Sequence, residues 1–404
     1  MHVTDPRMLG FDPERLARID TFLDREYLAP GLLPHAQLLV ARDGVPVHFS
    51  TQGEARPGEA LRPDAIFRIA SMTKPVTSLA YMMLLEEGRT ALEQPVEAVV
   101  PELKGLGVHL GGESLDARPA VQPMRMLDLL RHTSGLTYDF QYRTPVDAGY
   151  RARGLAVLQA TRSLEDFVAT LAGLPLEFAP GEAWNYSVST DVLGLVVQRL
   201  AGMPFEDFLA ERIFAPLGME DTGFSVAPEK AHRLPEAWWA HPERGIVRYD
   251  RAGAESEWAR PPVLVSGGGG LASTTADYHL FCRMLLGGGA VDGVRLVGRK
   301  TLELMTRNHL PGGGDLTQLS RSMFSEAIYA GQGFGLGFGV NLDPARALLP
   351  GSAGEYYWGG IFSTYFFIDP VERVSVVFMT QLMPSSTYPV RRQLKTMVYA
   401  ALTG

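Results

Sequence analysis

The chain has 404 residues, of which 46% are hydrophobic and 20% are charged, and its formal net charge at pH 7 is -8. A chain of this size can bury a large core, so we expect one large domain with a substantial subdomain, or two domains. An acidic chain without a cluster of Lys and Arg is a poor binder of nucleic acids and of anionic lipid surfaces. Cys282 is the only cysteine, which excludes an intramolecular disulfide.

The N-terminal stretch has the features of neither a secretory signal nor a membrane anchor. Its first 20 residues carry charges throughout and contain no apolar core. No stretch of 18 uninterrupted apolar residues occurs in the chain, so no membrane span is evident. We therefore expect a cytoplasmic protein with no membrane partner.

The sequence predicts neither a metal site nor a cofactor. The nine histidines are scattered and form no metal-binding set with the single cysteine. Glycines at alternate positions from 331 to 339 lack the Gly-x-Gly-x-x-Gly spacing and the following helix of a dinucleotide loop. This run predicts instead one strand with a closely packed face.

The predicted elements place strands at both ends of the chain and helices in the middle. Residues 12–28 have the periodicity of an amphipathic helix, and Asp43-Gly44 between two apolar runs predicts a β-hairpin. A second helix is predicted over residues 72–88, and the pattern from 93 to 215 is mainly helical. Short strands return later, and the clearest is the buried-strand candidate 374–379.

This order of elements predicts an α/β protein of the α+β kind. Its antiparallel sheet is built from both chain ends and flanked by helices, and a mainly helical subdomain is inserted between the two halves. We expect residues 1–92 and 216–404 to form the sheet domain and residues 93–215 to form the helical subdomain.

The run Ser71-Met72-Thr73-Lys74 is the first candidate for catalytic chemistry. The residues after it have the apolar spacing of a core-facing helix, and Pro75 is tolerated only in a first turn, so this helix begins near Ser71. At positions i and i+3, Ser71 and Lys74 share a helix face, where a lysine of lowered pKa can activate a serine hydroxyl. Ser-x-x-Lys also occurs by chance, and alone it more often describes an exposed serine cap beside a solvated lysine.

Two further motifs follow in the chain, Tyr186-Ser187-Val188 and, on a predicted late strand, Trp358-Gly359-Gly360. Together with Ser-x-x-Lys, their order and spacing resemble the class C β-lactamase and penicillin-binding-protein family. That family carries Ser-x-x-Lys, then Tyr-x-Asn, then Lys-Thr-Gly. The resemblance covers roughly residues 15–400 and implies the β-lactamase/transpeptidase-like fold.

Two departures from the family pattern indicate esters rather than β-lactams. Val188 stands where β-lactamases keep an asparagine that helps to hold the substrate, and Trp358 replaces the lysine that anchors a β-lactam carboxylate. Tyr-Ser-x with Trp-Gly-Gly is similar to the family VIII carboxylesterases and related acyltransferases. The resemblance therefore implies a serine carboxylesterase that hydrolyses short-chain carboxylic esters.

The resemblance also implies a role for each matched residue. Ser71 is the nucleophile that forms the acyl-enzyme, and Lys74 with Tyr186 supplies the general base and acid. The backbone N–H groups of Ser71 and Ile361 hold the oxyanion. The expected substrate-binding residues are Trp358, Gly359, Gly360, Tyr138 and Phe140. The last two of these residues are equally compatible with core packing.

Other functions stay open beside the esterase. An acyltransferase of the same fold would need a pocket for a second alcohol or amine, and a weak β-lactamase would use the same nucleophile and base. A binding or scaffold module would have lost Ser71, Lys74 or Tyr186, all of which are present. His132 is a further candidate base, although its loop is structural in the related family. The expected partner is a small-molecule ester, while the natural substrate and the oligomeric state stay open.

Overall fold

The structure is a computed structural model that describes residues 2–158, 160–321 and 330–404. Within these ranges, no helix is long and apolar enough to cross a lipid bilayer. The α-helices are α1 (Pro13–Leu23), α2 (Thr73–Glu86), α3 (Met126–Leu130), α4 (Pro145–Ala152), α5 (Leu164–Leu171), α6 (Ser189–Ala201), α7 (Phe205–Leu209), α8 (Ala215–Leu217), α9 (Thr275–Leu286), α10 (Arg299–Met305), α11 (Leu316–Leu319), α12 (Pro344–Ala347) and α13 (Val390–Ala400). The strands are β1 (His35–Arg42), β2 (Val45–Arg56), β3 (Glu59–Ala60), β4 (Ile66–Arg68), β5 (Gly107–His109), β6 (Ala117–Pro119), β7 (Ala237–His241), β8 (Gly245–Asp250), β9 (Ala272–Thr274), β10 (Ala290–Val291), β11 (Val294–Arg295), β12 (Gln332–Phe334), β13 (Gly339–Asn341), β14 (Tyr356–Gly359), β15 (Tyr365–Asp369), β16 (Val374–Met379) and β17 (Leu382–Met383).

The main sheet joins strands from both ends of the chain. Among the described residues, its strand order is β12-β13-β14-β15-β16-β1-β2-β3, and every neighbouring pair is antiparallel. In β1, Leu39 pairs with Val377 of β16 on one side and with Phe49 of β2 on the other. The fold class predicted from the sequence is therefore confirmed.

Local sequence signals account for the turns between the strands. Asp43 and Gly44 have φ values of 53° and 76°, as a tight turn between β1 and β2 requires. The prediction of one strand in the glycine run was wrong, because the run turns back on itself and forms the hairpin β12–β13. Gly335 N donates to Phe338 O at 2.8 Å, and Gly337 adopts a φ of 96° that favours glycine.

The segment from residue 93 to 215 carries the helices that bring distant residues to α2. It contains α3 to α7 and, in addition, the short hairpin β5–β6. α6 packs against α2 and against α3. Because Tyr186 lies three residues before α6 begins, this packing places it next to Lys74 on α2.

α2 lies inside the protein rather than on its surface. Every residue from Thr73 to Leu84 is buried, including the side chains of Lys74 and Thr77. The apolar spacing predicted one core-facing side, whereas the structure buries the polar side as well. Buried polar groups need hydrogen-bond partners within the protein, and the partners of this helix assemble the site.

Candidate active site

The turn that carries Ser71 is held in a constrained conformation. Ser71 lies in a short 3₁₀ turn, Ala70–Met72, between β4 and α2. Ala70 has a φ of 45°, which is costly for a residue with a Cβ and persists only where the surroundings enforce it. Tyr278 Oη donates to Met72 O at 2.9 Å and so fixes the turn from the side of α9. The side chain of Ser71 stays partly exposed, while the ten residues after it are buried.

Lys74 contacts Ser71, as the i and i+3 spacing predicts. Its side chain is 1% exposed, and its Nζ lies 3.1 Å from Ser71 Oγ and 2.7 Å from Gly268 O. The same Nζ lies 4.4 Å from the ring centroid of Tyr186 and 5.6 Å from that of Tyr138. An ammonium group enclosed by a carbonyl, a hydroxyl and two aromatic faces is held in one position.

Tyr186 reaches the same point from the loop before α6. Its backbone is fixed by Gln141, whose Nε2 donates to Tyr186 O at 2.5 Å. Its ring is 1% exposed and lies 5.0 Å from the ring of His132 and 5.5 Å from that of Trp358, between centroids. The structure therefore brings together Ser71, Lys74 and Tyr186, the three residues predicted to carry the chemistry.

The end of β14 lies against the backbone that precedes Ser71. A Cβ on Gly360 would lie 2.3 Å from Ile69 O and 3.2 Å from the Cβ of Ala70, so only glycine allows this approach. Thr364 Oγ1 donates to Ile69 O at 3.2 Å and fastens the strand end to the same segment. Ile361 follows Gly360 directly, in the turn between β14 and β15, and its role in the oxyanion site stays a prediction.

Trp358 supports Tyr186 from behind. It is 1% exposed, and its ring centroid lies 5.5 Å from that of Tyr186 and 5.2 Å from that of Phe334. Its Nε1 has no hydrogen-bond partner among the described residues. The structure shows packing for this residue, and its contact with substrate stays a prediction.

Tyr138 and Phe140 form an aromatic stack beside the lysine. Their rings are 4.7 Å apart with an interplanar angle of 19°, and Tyr138 also lies 5.3 Å from the ring of Tyr186. Tyr138 is 2% exposed, whereas Phe140 is only partly buried. Of the two, Phe140 is the more exposed residue, and the contact of both with substrate stays a prediction.

His132 does not take the position of a base for Ser71. Its Nδ1 lies 3.3 Å from Ser187 Oγ, and its ring packs on Tyr186 and Trp184. Burial and the nearby Lys74 hold its pKa well below the ordinary value for histidine. A neutral, enclosed imidazole bonded to Ser187 supports the structural alternative.

Sequence reasoning missed Gly268 and Asp191. Gly268 has no side chain that could mark it as functional, yet Gly268 O is the carbonyl that accepts from Lys74. Asp191 is completely buried in the first turn of α6 and accepts from Gly268 N at 3.1 Å. A carboxylate among the apolar residues of this helix was the available signal, because a buried charge requires a partner.

A cavity of about 210 Å³, lined by apolar residues and also by the charged Glu257 and Arg260, borders the same segment. Residues that line it include Val157, Leu158, Phe224, Trp258, Leu264 and Gly270. Trp258 Nε1 donates to Gly270 O at 3.3 Å, and a Cβ on the neighbouring Gly269 would lie 3.8 Å from the carbonyl carbon of Ala70. Gly269, which lines the cavity, therefore lies beside the backbone that leads into Ser71.

Comparison with known proteins places the chain in a family. The model of the Beta-lactamase family matches residues 23–399. Protein Rv1367c of Mycobacterium tuberculosis is 36% identical over 332 residues, which cover 81% of this chain and 80% of that protein. Esterase EstB of Burkholderia gladioli is 31% identical over 425 residues and 98% of both chains.

A solved structure shows the same fold. EstCE1, described as a hydrolase with promiscuous acyltransferase activity, superposes with a TM-score of 0.78 at 24% sequence identity, covering 96% of this chain and 99% of its own. These matches confirm the resemblance seen in the sequence to the esterases of the β-lactamase and penicillin-binding-protein group. The chain belongs to the beta-lactamase family and is an enzyme, a serine hydrolase of that fold.

Proposed function

We propose that this protein hydrolyses carboxylic esters through an acyl-enzyme on Ser71. The observation that carries the proposal is the contact between Lys74 Nζ and Ser71 Oγ, 3.1 Å apart at a turn that is partly exposed. A serine hydroxyl becomes a nucleophile when an adjacent base removes its proton. The similarity to Esterase EstB over the full chain supports an ester rather than another acyl compound as substrate.

The proposed reaction has two halves. Ser71 Oγ attacks the ester carbonyl, its proton passes to the pair Lys74 and Tyr186, and the backbone N–H groups of Ser71 and Ile361 hold the oxyanion. The bond to the alkoxy oxygen then breaks, and the alkoxide leaves with that proton as the alcohol. Water then attacks the acyl carbonyl and loses one proton to the same pair. The bond between the acyl carbon and Ser71 Oγ breaks, the pair returns the proton to Oγ, and the carboxylic acid leaves.

Lys74 and Tyr186 act as one proton-transfer unit in this scheme. Lys74 Nζ lies 4.4 Å from the Tyr186 ring centroid, so a charge on either group changes the proton affinity of the other. A tyrosine titrates near about 10 in water, and an adjacent ammonium lowers that value. In the division that we favour, Lys74 stays protonated and Tyr186 takes the Ser71 proton and returns it to the leaving alcohol.

The cavity beside Gly270 favours esters with one small apolar group. Its volume is about 210 Å³, which exceeds the roughly 150 Å³ cavity that accepts benzene in another protein. Each methylene buried there contributes about 0.8 kcal/mol until the cavity is full. Turnover should rise from p-nitrophenyl acetate to esters of intermediate chain length and then fall.

Acyl transfer is the second candidate function. EstCE1, which shares the fold, is described as a hydrolase with promiscuous acyltransferase activity. In this chain the partly exposed Ser71 would allow an alcohol to replace water in the second half of the reaction. Hydrolysis and transfer then differ only in which nucleophile reaches the acyl-enzyme, and adding butanol to the assay measures the ratio of butyl ester to free acid.

The test of the proposal compares wild type with Ser71→Ala on p-nitrophenyl acetate and butyrate, with a chromogenic cephalosporin alongside. We expect ester turnover by wild type and none above background in Ser71→Ala. Ser78→Ala is the matched control, because it removes a buried serine hydroxyl from the same helix. Equal ester turnover in Ser71→Ala would refute the proposal, and cephalosporin opening without ester turnover would replace the esterase by a β-lactamase.

A further inference from the structure

Asp191 holds the segment that positions Lys74. Its side chain is 0% exposed, and its Oδ1 accepts from Ser266 Oγ at 2.5 Å and from Gly268 N at 3.1 Å. The carbonyls of the same segment face α2. Gly267 O accepts from Thr77 Oγ1 at 2.7 Å, and Gly268 O accepts from Lys74 Nζ at 2.7 Å.

Gly268 thus forms a bridge of two hydrogen bonds between the carboxylate of Asp191 and the ammonium of Lys74. Its N–H binds Asp191 and its carbonyl binds Lys74. A Cβ on Gly268 would lie 2.5 Å from Asp191 Oδ2, and one on Gly267 would lie 2.6 Å from Thr190 O. Two consecutive glycines are therefore needed for this close approach between α6 and the segment.

The charge of Asp191 has no ion-pair partner in direct contact among the described residues. Its Oδ2 accepts no hydrogen bond from them. Burial raises the pKa of Asp191, and the positive charge of Lys74, with the hydrogen bonds from Ser266 and Gly268, opposes that rise. Two enclosed opposite charges linked through one residue stabilise each other's ionised form.

Among the described residues, three other titratable side chains lie near Lys74, and none of these three is a carboxylate. They are the rings of Tyr138 and Tyr186 and the imidazole of His132, which burial keeps neutral. Asp191 is a buried acidic side chain whose negative charge interacts with the charge of Lys74.

We propose that Asp191 is an ionised positioning residue that fixes Lys74 at Ser71 and sets the pH range in which Ser71 is nucleophilic. The inference rests on the proposed function for the role of Lys74. Removing the negative charge favours the deprotonated form of every nearby group, so both limbs of the pH–rate profile move to lower pH, whichever of Lys74 and Tyr186 is the base.

The test measures the rate at which a p-nitrophenyl alkylphosphonate inactivates the full-length protein from about pH 5 up to about pH 10, near the ordinary pKa values of tyrosine and lysine. In this step Ser71 Oγ bonds to phosphorus, the bond to the aryl oxygen breaks, p-nitrophenolate leaves, and the Ser71 proton passes to the base. For Asp191→Asn we expect both limbs about one pH unit lower than in wild type. The reaction reports Ser71 reactivity without requiring any ester turnover.

Asp277→Asn is the matched control. Asp277 is also buried in a first turn, that of α9, and binds a neighbouring loop through Asp221 N at 2.8 Å and Thr222 Oγ1 at 2.9 Å. Its pKa is also raised by burial, but it makes no contact with Gly268 or Lys74 among the described residues. We expect its limbs to coincide with those of wild type even if its melting temperature falls.

A second variant separates the charge from the scaffold and serves if Asp191→Asn does not fold. Ser266→Ala removes one donor to Asp191 and keeps the carboxylate, so the inactivation rate should fall severalfold without movement of the limbs to lower pH. Unmoved limbs in Asp191→Asn, equal movement in Asp277→Asn, or an unchanged rate in Ser266→Ala would overturn the inference. Normal labelling of wild type without ester turnover would refute the proposed function alone, and absence of labelling would overturn both.

Discussion

Replacing Tyr186 by Phe removes one oxygen from the candidate site and leaves the packing around it in place. The ring contacts with Lys74, Tyr138 and Trp358 do not involve the hydroxyl group. The variant should therefore fold with a melting temperature close to that of wild type. Its effect on the rate isolates the proton transfer, because the aromatic ring still fills the same space.

The expected loss follows from the role of a general acid and base. Removing such a group lowers kcat by about 10²- to 10⁴-fold, and at 1.36 kcal/mol per decade this raises the barrier by about 2.7–5.4 kcal/mol. The loss should appear in kcat for p-nitrophenyl butyrate rather than in KM, since the hydroxyl acts in the transition state. A kcat within tenfold of wild type would show that Tyr186 lies outside the proton path.

Tyr81→Phe is the control for this experiment. Tyr81 is a buried tyrosine on α2 whose Oη lies 3.0 Å from Thr90 Oγ1 and 3.0 Å from Ala91 O, away from Ser71. Losing these hydrogen bonds should reduce the free energy of unfolding by about 1 kcal/mol and leave kcat unchanged. A comparable fall of kcat in both variants would attribute the effect to the fold rather than to chemistry.

Three further predictions follow from the same contacts. Gly360→Ala would push the end of β14 away from Ile69 O, and we expect kcat for p-nitrophenyl butyrate to fall about 10²- to 10³-fold through the oxyanion site; an unchanged kcat would contradict this. Asp250→Ala leaves the buried guanidinium of Arg68, which is 0% exposed, without its carboxylate partner at 2.5 Å. The free energy of unfolding measured in urea should fall by about 3–5 kcal/mol, and a fall below about 1 kcal/mol would contradict this prediction. Burial lowers the pKa of His35 to about 4. Between about pH 6.5 and 4, His35 therefore binds a proton in the unfolded chain but not in the folded chain. The folded state should thus lose up to about 3 kcal/mol through His35 as the pH falls through this window. Unfolding curves of His35→Gln should show a slope reduced by that contribution, while His132 and His279, whose pKa values burial also lowers, retain theirs.

Much of the fold was readable from local patterns. The turn at Asp43-Gly44, the buried strand at 374–379 and the helix that begins beside Ser71 all lie where the sequence predicts them. The glycine run at 331–339 was misread because alternation of small and apolar residues does not distinguish one strand from a tight hairpin. The turn is set by Gly337, whose positive φ cannot be read from composition.

Within the site, the sequence by itself determined the contacts that follow from the periodicity of a helix. Residues three apart on a helix share a face, so the contact between Ser71 and Lys74 is local and follows from the spacing alone. The motif order also identified Tyr186 as a candidate, but it did not identify the side chains that pack against its ring. For Trp358 the structure adds a ring contact with Tyr186 and 1% exposure, while its predicted contact with substrate stays a prediction.

Only the tertiary structure decided how the lysine is held. Gly268 O comes to Lys74 from 194 residues away in the chain, and Asp191 fixes that segment from a third element. Neither contact leaves a spacing or a periodicity in the sequence, because both depend on the distance between α2 and α6 rather than on either helix alone. The contact between Ser71 and Lys74 thus follows from local spacing at the start of one helix. The residues that surround this pair and set its electrostatic environment come together only in the packed fold.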